Sequence, residues 1–98
     1  MKISINELRS IFDILEKEVR LHCGEEVEIE SEDYYWEIKE DELYNPTTPP
    51  NDLMLGQISD DWMELSRLVN PSEIPVSYDL KRLGAVLEAV RVNSQNKW

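Results

Sequence analysis

The chain has little of what most enzyme sites are built from. It holds one cysteine, Cys23, and one histidine, His22. A single thiol leaves no intrachain disulfide framework, so a reducing, cytoplasmic location is expected. The two residues are neighbours, and adjacent positions on a helix point about 100° apart, so they do not converge as a nucleophile and base. Zinc would need two or more further ligands, and no CxxC or HxxxH spacing exists. They read instead as a histidine near a helix C-terminus, where the dipole favours imidazolium, beside a part-buried thiol.

Glycine is also scarce. Gly24, Gly56 and Gly84 stand alone, which excludes a glycine-rich phosphate loop, and there is no GxSxG elbow. No apolar run approaches the ~20 residues that span a bilayer. The opening residues, Met1 to Glu7, lack a signal-peptide core and turn acidic at once. Basic residues are few, ten Lys and Arg against 21 Asp and Glu, for a formal charge of −11. Nucleic acid and most membrane surfaces are anionic and should repel such a chain. Neither is expected as a partner.

The acidity is confined to the middle. Between Glu25 and Glu64 stand fourteen Asp and Glu with one Lys, Lys39; residues 1–24 are balanced and residues 65–98 are mildly basic. Net charge of one sign speaks to partners and solubility rather than to fold. At 98 residues with 41% hydrophobic content, one domain over 1–98 with a modest core is expected.

Periodicity supplies the elements. Ile5, Leu8, Phe12, Leu15 and Val19 recur at spacings of three and four, with Ile11 and Ile14 widening the stripe. This predicts an amphipathic helix over 4–23, opened by a Ser4–Glu7 capping box and closed by Gly24. Glu26 to Glu30 alternates apolar and acidic residues, the pattern of a half-buried strand. Tyr34 to Ile38 is rich in strand-forming types, and the two segments read as a hairpin turning at 31–33. Leu43 and Tyr44 read as anchors of a short turn before a loop over 45–52, which three prolines keep out of helix. Leu53 to Ile58 suits a third short strand. Ser59 then caps a helix that starts with Asp60 and Asp61 and ends before Asn70-Pro71. A last helix from Ser77 carries Leu80, Leu83, Leu87 and Val90, and Gly84 within it suggests a close helix–helix contact. Residues 93–98 read as a frayed tail. The expected class is α+β: an N-terminal helix, a two- or three-stranded antiparallel sheet, and two C-terminal helices.

No catalytic residue, cofactor site or metal site is expected. Asp41-Glu42 and Asp60-Asp61 are compact acidic pairs, but neither lies in a calcium-loop pattern. Asp60 and Asp61 suit a helix start, and Glu26, Glu28 and Glu30 suit a solvated strand face. Trp36 and Trp62 are expected in the core. Alternation along 34–38 puts Tyr35 on the opposite face from Tyr34 and Trp36, leaving Tyr35 as an exposed interface anchor. The candidate partner-binding residues are therefore Glu26, Glu28, Glu30, Glu32, Asp33, Tyr35, Glu37, Asp41, Glu42 and Tyr44.

Tyr-Tyr-Trp at 34–36, Glu-Leu-Tyr at 42–44, the proline-rich loop, Leu-Gly-Gln-Ile-Ser-Asp-Asp-Trp at 55–62 and Ser-Tyr-Asp-Leu at 77–80 together resemble a group of small bacterial proteins of unassigned function. The resemblance covers about residues 34–90. It implies a compact bacterial cytosolic domain and carries over no functional residue.

The leading functional expectation is a non-enzymatic acidic interaction domain that binds a basic partner protein, as inhibitors and immunity proteins do. A carboxylate-based metal site or small enzyme, using at least two of Glu28, Glu30, Asp41, Glu42, Asp60 and Asp61, is the second. A structural accessory protein, dimerising through the Gly84 helix, is the third.

Overall fold

Seven local elements are set out in order in the computed structural model, which describes all residues 1–98. They are α1 (Ile5–Cys23), β1 (Tyr34–Ile38), α2 (Glu40–Leu43), β2 (Leu53–Gln57), α3 (Ile58–Ser66), a 3-10 turn (Arg67–Val69) and α4 (Tyr78–Ser94). This is an α+β chain: an N-terminal helix, a two-stranded antiparallel sheet and C-terminal helices. Two compact units are distinguished, one of residues 1–30 with 90–98 and one of residues 31–89.

In the first unit α1 forms at its expected bounds, with the Ser4 half of the expected capping box and no bond from the Glu7 carboxylate. Ser4 Oγ accepts from the Glu7 N–H at 3.2 Å, relieving one of the unpaired donors of the first turn. Gly24 ends the helix at φ 83°, where its own N–H donates to the Arg20 carbonyl; a side chain there would be strained. Along the exposed side Arg20 pairs with Glu16 and His22 lies beside Glu18, each one turn apart. The segment after Gly24 departs from expectation. Residues 26–30 form no strand, and the Glu30 N–H donates to the side chain of Asn93 at 2.8 Å. Nor does the end of the chain begin to fray at Asn93. Helix α4 continues through Ser94, which is buried, and the Trp98 ring stacks on His22 with centroids 5.9 Å apart.

In the second unit β1 pairs with β2, not with the preceding segment. The register sets Tyr34 opposite Gln57, Tyr35 opposite Gly56, Trp36 opposite Leu55, Glu37 opposite Met54 and Ile38 opposite Leu53. The expected hairpin fails because residues 31–33 are not free to turn. Asp33 is tied to the start of α3: its carbonyl accepts from Ile58 N–H and its carboxylate from Ser59 N–H, both at 2.8 Å. Helix α3 therefore begins one residue before Ser59, and its first-turn donors are satisfied by a residue far away in sequence.

The interior of this unit is small and polar. Val86 and Ala89, both on α4, are its buried hydrophobic residues, beside the buried carboxylates Asp61 and Asp79. Asp79 sits between two guanidinium groups, Arg67 at 3.0 Å and Arg82 at 2.8 Å, and also accepts from the Val76 N–H just ahead of α4. Hydrogen bonds from Arg67 and Val76, reinforced by Arg82, outweigh burial and hold the Asp79 carboxyl well below the usual range. Gly84 is exposed, and a Cβ there would meet nothing within 4 Å. The close helix contact expected at Gly84 is absent from this chain.

Candidate functional site

The two-stranded sheet has two unlike faces, because side chains alternate along each strand. One face carries Tyr35 and Glu37 from β1 with Gly56 and Met54 from β2. The other carries Tyr34, Trp36 and Ile38 with Gln57, Leu55 and Leu53.

The Tyr35 face is turned toward α3 and α4, and its contacts are polar. Tyr35 Oη donates to Asp61 Oδ2 of α3 and accepts from Lys81 Nζ of α4. Lys81 in turn pairs with Glu37 at 3.0 Å. A strand tyrosine thus joins both helices, with the lysine holding a second strand residue. The charge states follow from the surroundings. Burial, then the Asp61 bond, raises the Tyr35 phenol against the opposing pull of Lys81, so it keeps its proton. Burial lowers Lys81, but its bonds to Tyr35 and Glu37, with the charge of Asp61, raise it overall. Lys81 and Arg82 also lie over the ring of Tyr78, at 5.4 and 4.8 Å.

This arrangement reverses the expected faces. Tyr35, anticipated as the exposed anchor, is half-buried and fully engaged, whereas Trp36, anticipated in the core, is 69% exposed. Trp62 is likewise exposed. The outer face of the sheet is consequently apolar and open: Tyr34, Trp36, Leu53 and Leu55 are each at least half exposed.

The remaining candidates separate into scaffold and surface. Asp33 caps α3 and accepts from Gln57 and Ser59; the Ser59 hydroxyl, then the Gln57 amide, hold its carboxyl below the ordinary range. Glu37 belongs to the Lys81 pair, and Glu42 accepts from the Asn51 N–H at 3.2 Å, closing the proline-rich loop. The base of that loop is also held by Lys39 and Asp52, 2.9 Å apart. Glu32 and Asp41 are exposed, and Tyr44, expected to anchor a turn, is 88% exposed. Glu26, Glu28 and Glu30 are also exposed, and they lie in the first compact unit rather than the second. The candidates are therefore divided between the two units.

Asp60, Asp61 and Glu64 of α3 with Tyr78 and Arg82 of α4 and Met63 line an open depression of about 390 Å³. Of its carboxylates Asp61 is engaged by the Tyr35 hydroxyl, and Arg82 is turned to Asp79, outside the lining. No three His, Cys, Asp or Glu side chains come together as a metal-binding group. No helix is long and apolar enough to cross a membrane.

Sequence reading missed Tyr34, Trp36 and Lys81. The available signal was Gly56, a residue without a side chain inside a short strand, which often marks the close approach of a neighbouring group. No protein-family model, curated protein or solved structure matches this chain.

Proposed function

We propose that this is a non-enzymatic, acidic protein-interaction domain, and that its contact surface is the outer face of the sheet rather than the Tyr35 side. One observation carries the reading. Tyr34 and Trp36 stand open to solvent beside Leu53 and Leu55, within a segment otherwise dense in carboxylates. Tryptophan and tyrosine dominate binding hot spots, and interfaces characteristically pair an apolar centre with a polar rim. The same unit carries exposed acidic groups, Glu40 and Asp41 close behind β1 in sequence among them, that would supply the charge. A basic protein suits that rim, and opposite charge would speed its approach. An inhibitor- or immunity-like role is one instance of this class, in a bacterial cytosol.

The test is affinity capture from a lysate of the source cell with the intact protein as bait, followed by titration of the purified partner. Trp36→Ala should weaken binding by at least tenfold, as loss of a hot-spot aromatic does. Neutralising the rim with E40Q and D41N should slow association and reduce its dependence on salt. A partner bound equally well by Trp36→Ala, or no partner retained even at low salt, would remove the proposal.

A further inference from the structure

Helix α1 presents an apolar stripe that its own compact unit leaves open. Ile5, Leu8, Ile11, Phe12, Ile14 and Leu15 are between 45% and 73% exposed, and no residue of the helix is buried. In proteins most helical stability comes from packing an apolar face. A contiguous apolar surface of this kind marks a place of association.

We infer that this stripe is a self-association surface, on which α1 of a second copy lies antiparallel about a two-fold axis. Three features of the helix select that occupant. The first is spacing: Ile5, Leu8, Phe12, Leu15 and Val19 alternate steps of three and four, the seam of a two-helix coiled coil. Over this stretch the seam is about 21 Å long at 1.5 Å per residue.

The second is charge along the flanks. Setting Phe12 opposite Leu15 of the second copy places Leu8 opposite Val19, and brings Arg9 beside Glu16 across the seam. Two-fold symmetry repeats the pair, because residue i meets j and j meets i. A parallel arrangement would set Ser4 beside Arg9 and Ile11 beside Glu16, with no opposite charges matched. An antiparallel arrangement shifted to place Leu8 opposite Phe12 would bring the two Arg9 side chains together. Only the first register brings opposite charges together across a flank, while its other flank sets Ile11 beside Glu18.

The third is availability. Arg9 is exposed, with no ion pair or hydrogen bond of its side chain within the chain. Glu16 receives both of its Arg20 contacts on Oε1, which leaves Oε2 open to Arg9 of the second copy. Its residues are not those of the sheet face in the proposed function, so either conclusion can fail alone.

Sedimentation equilibrium on the full chain tests it, with circular dichroism to check that helix content is retained. The wild type should be a dimer at micromolar concentration. Arg9→Glu should raise the dimer dissociation constant about tenfold, since two symmetry-related attractions become repulsions. The double variant R9E/E16R should restore dimerisation, because the pair is re-formed with its signs exchanged. Leu15→Glu, at an exposed position, should give a monomer with its helices intact. A wild-type monomer at several hundred micromolar, a dimer indifferent to Arg9→Glu, or a double variant no better than Arg9→Glu would each overturn the inference.

Discussion

The ring of Tyr35 occupies the space that a side chain at Gly56, its direct partner on the opposite strand, would need. A Cβ built at position 56 runs into the far end of that ring, including Oη. Gly56 is therefore required for room, not for an unusual backbone angle, and the room lets Tyr35 Oη reach α3 and α4.

Gly56→Ala should accordingly destabilise the protein by about 1–3 kcal/mol, the usual cost of overfilling a packed site. The effect should be coupled to the ring. In a Tyr35→Ala background the same substitution should cost much less, because nothing remains to be displaced. Urea unfolding of the four variants measures this coupling. Equal costs in both backgrounds would mean that the two residues do not share the space.

Removing only the hydroxyl separates its polar role from its packing. Tyr35→Phe takes a donor from buried Asp61 and an acceptor from Lys81, and should cost about 1–3 kcal/mol. Both titrating groups have raised values in the folded protein, so their contribution is complete below the unfolded-state values, about 10 for Tyr and 10.4 for Lys. It is lost as pH rises through the higher folded-state values. The stability gap between wild type and Tyr35→Phe should thus narrow above pH 10. A gap constant from pH 7 to 11 would contradict the assigned proton positions.

These relationships mark where the amino-acid pattern was readable and where it was not. Helix α1 was legible because both of its signals are local, Ser4 three residues from Glu7 and Gly24 four from Arg20. The order of the strand faces was not, since both faces of 34–38 carry aromatic rings and alternation alone does not say which one points inward. The acidic alternation of 26–30 was misleading for a related reason. Period two describes a two-faced segment, but a strand also needs a ladder partner, and β1 had taken β2. The cap on α3 was hidden by distance: Asp33 and Ser59 are 26 residues apart. The candidate surface was half legible, its acidity visible at once and its aromatic centre assigned to the wrong side.

Asp79 gives an acid-side prediction. Its carboxylate is held ionised chiefly by Arg67 and the Val76 N–H, so its folded-state value lies below the unfolded-state value of about 3.9. The stability it supplies is complete above that unfolded-state value and is lost as pH falls through the folded-state value. Asp79→Asn should be clearly less stable than wild type at pH 6, and the difference should shrink steadily below pH 4. Thermal or urea unfolding across pH 2–6 measures it. An undiminished difference at pH 2 would show that the carboxylate's charge is not what holds Arg67 and Arg82.

Gly84 offers the opposite outcome. It lies within α4 in an ordinary helical conformation, exposed, with open space where a Cβ would stand. In such a position glycine only adds freedom to the unfolded chain, so Gly84→Ala should stabilise by about 0.5–1 kcal/mol. Urea unfolding should show a higher midpoint with an unchanged slope, because the surface exposed on unfolding is the same. The oligomeric state should not change, since the inferred contact runs through α1. If Gly84→Ala instead weakened association while leaving the helix folded, the contact between copies would lie on α4, and the α1 pairing would be wrong.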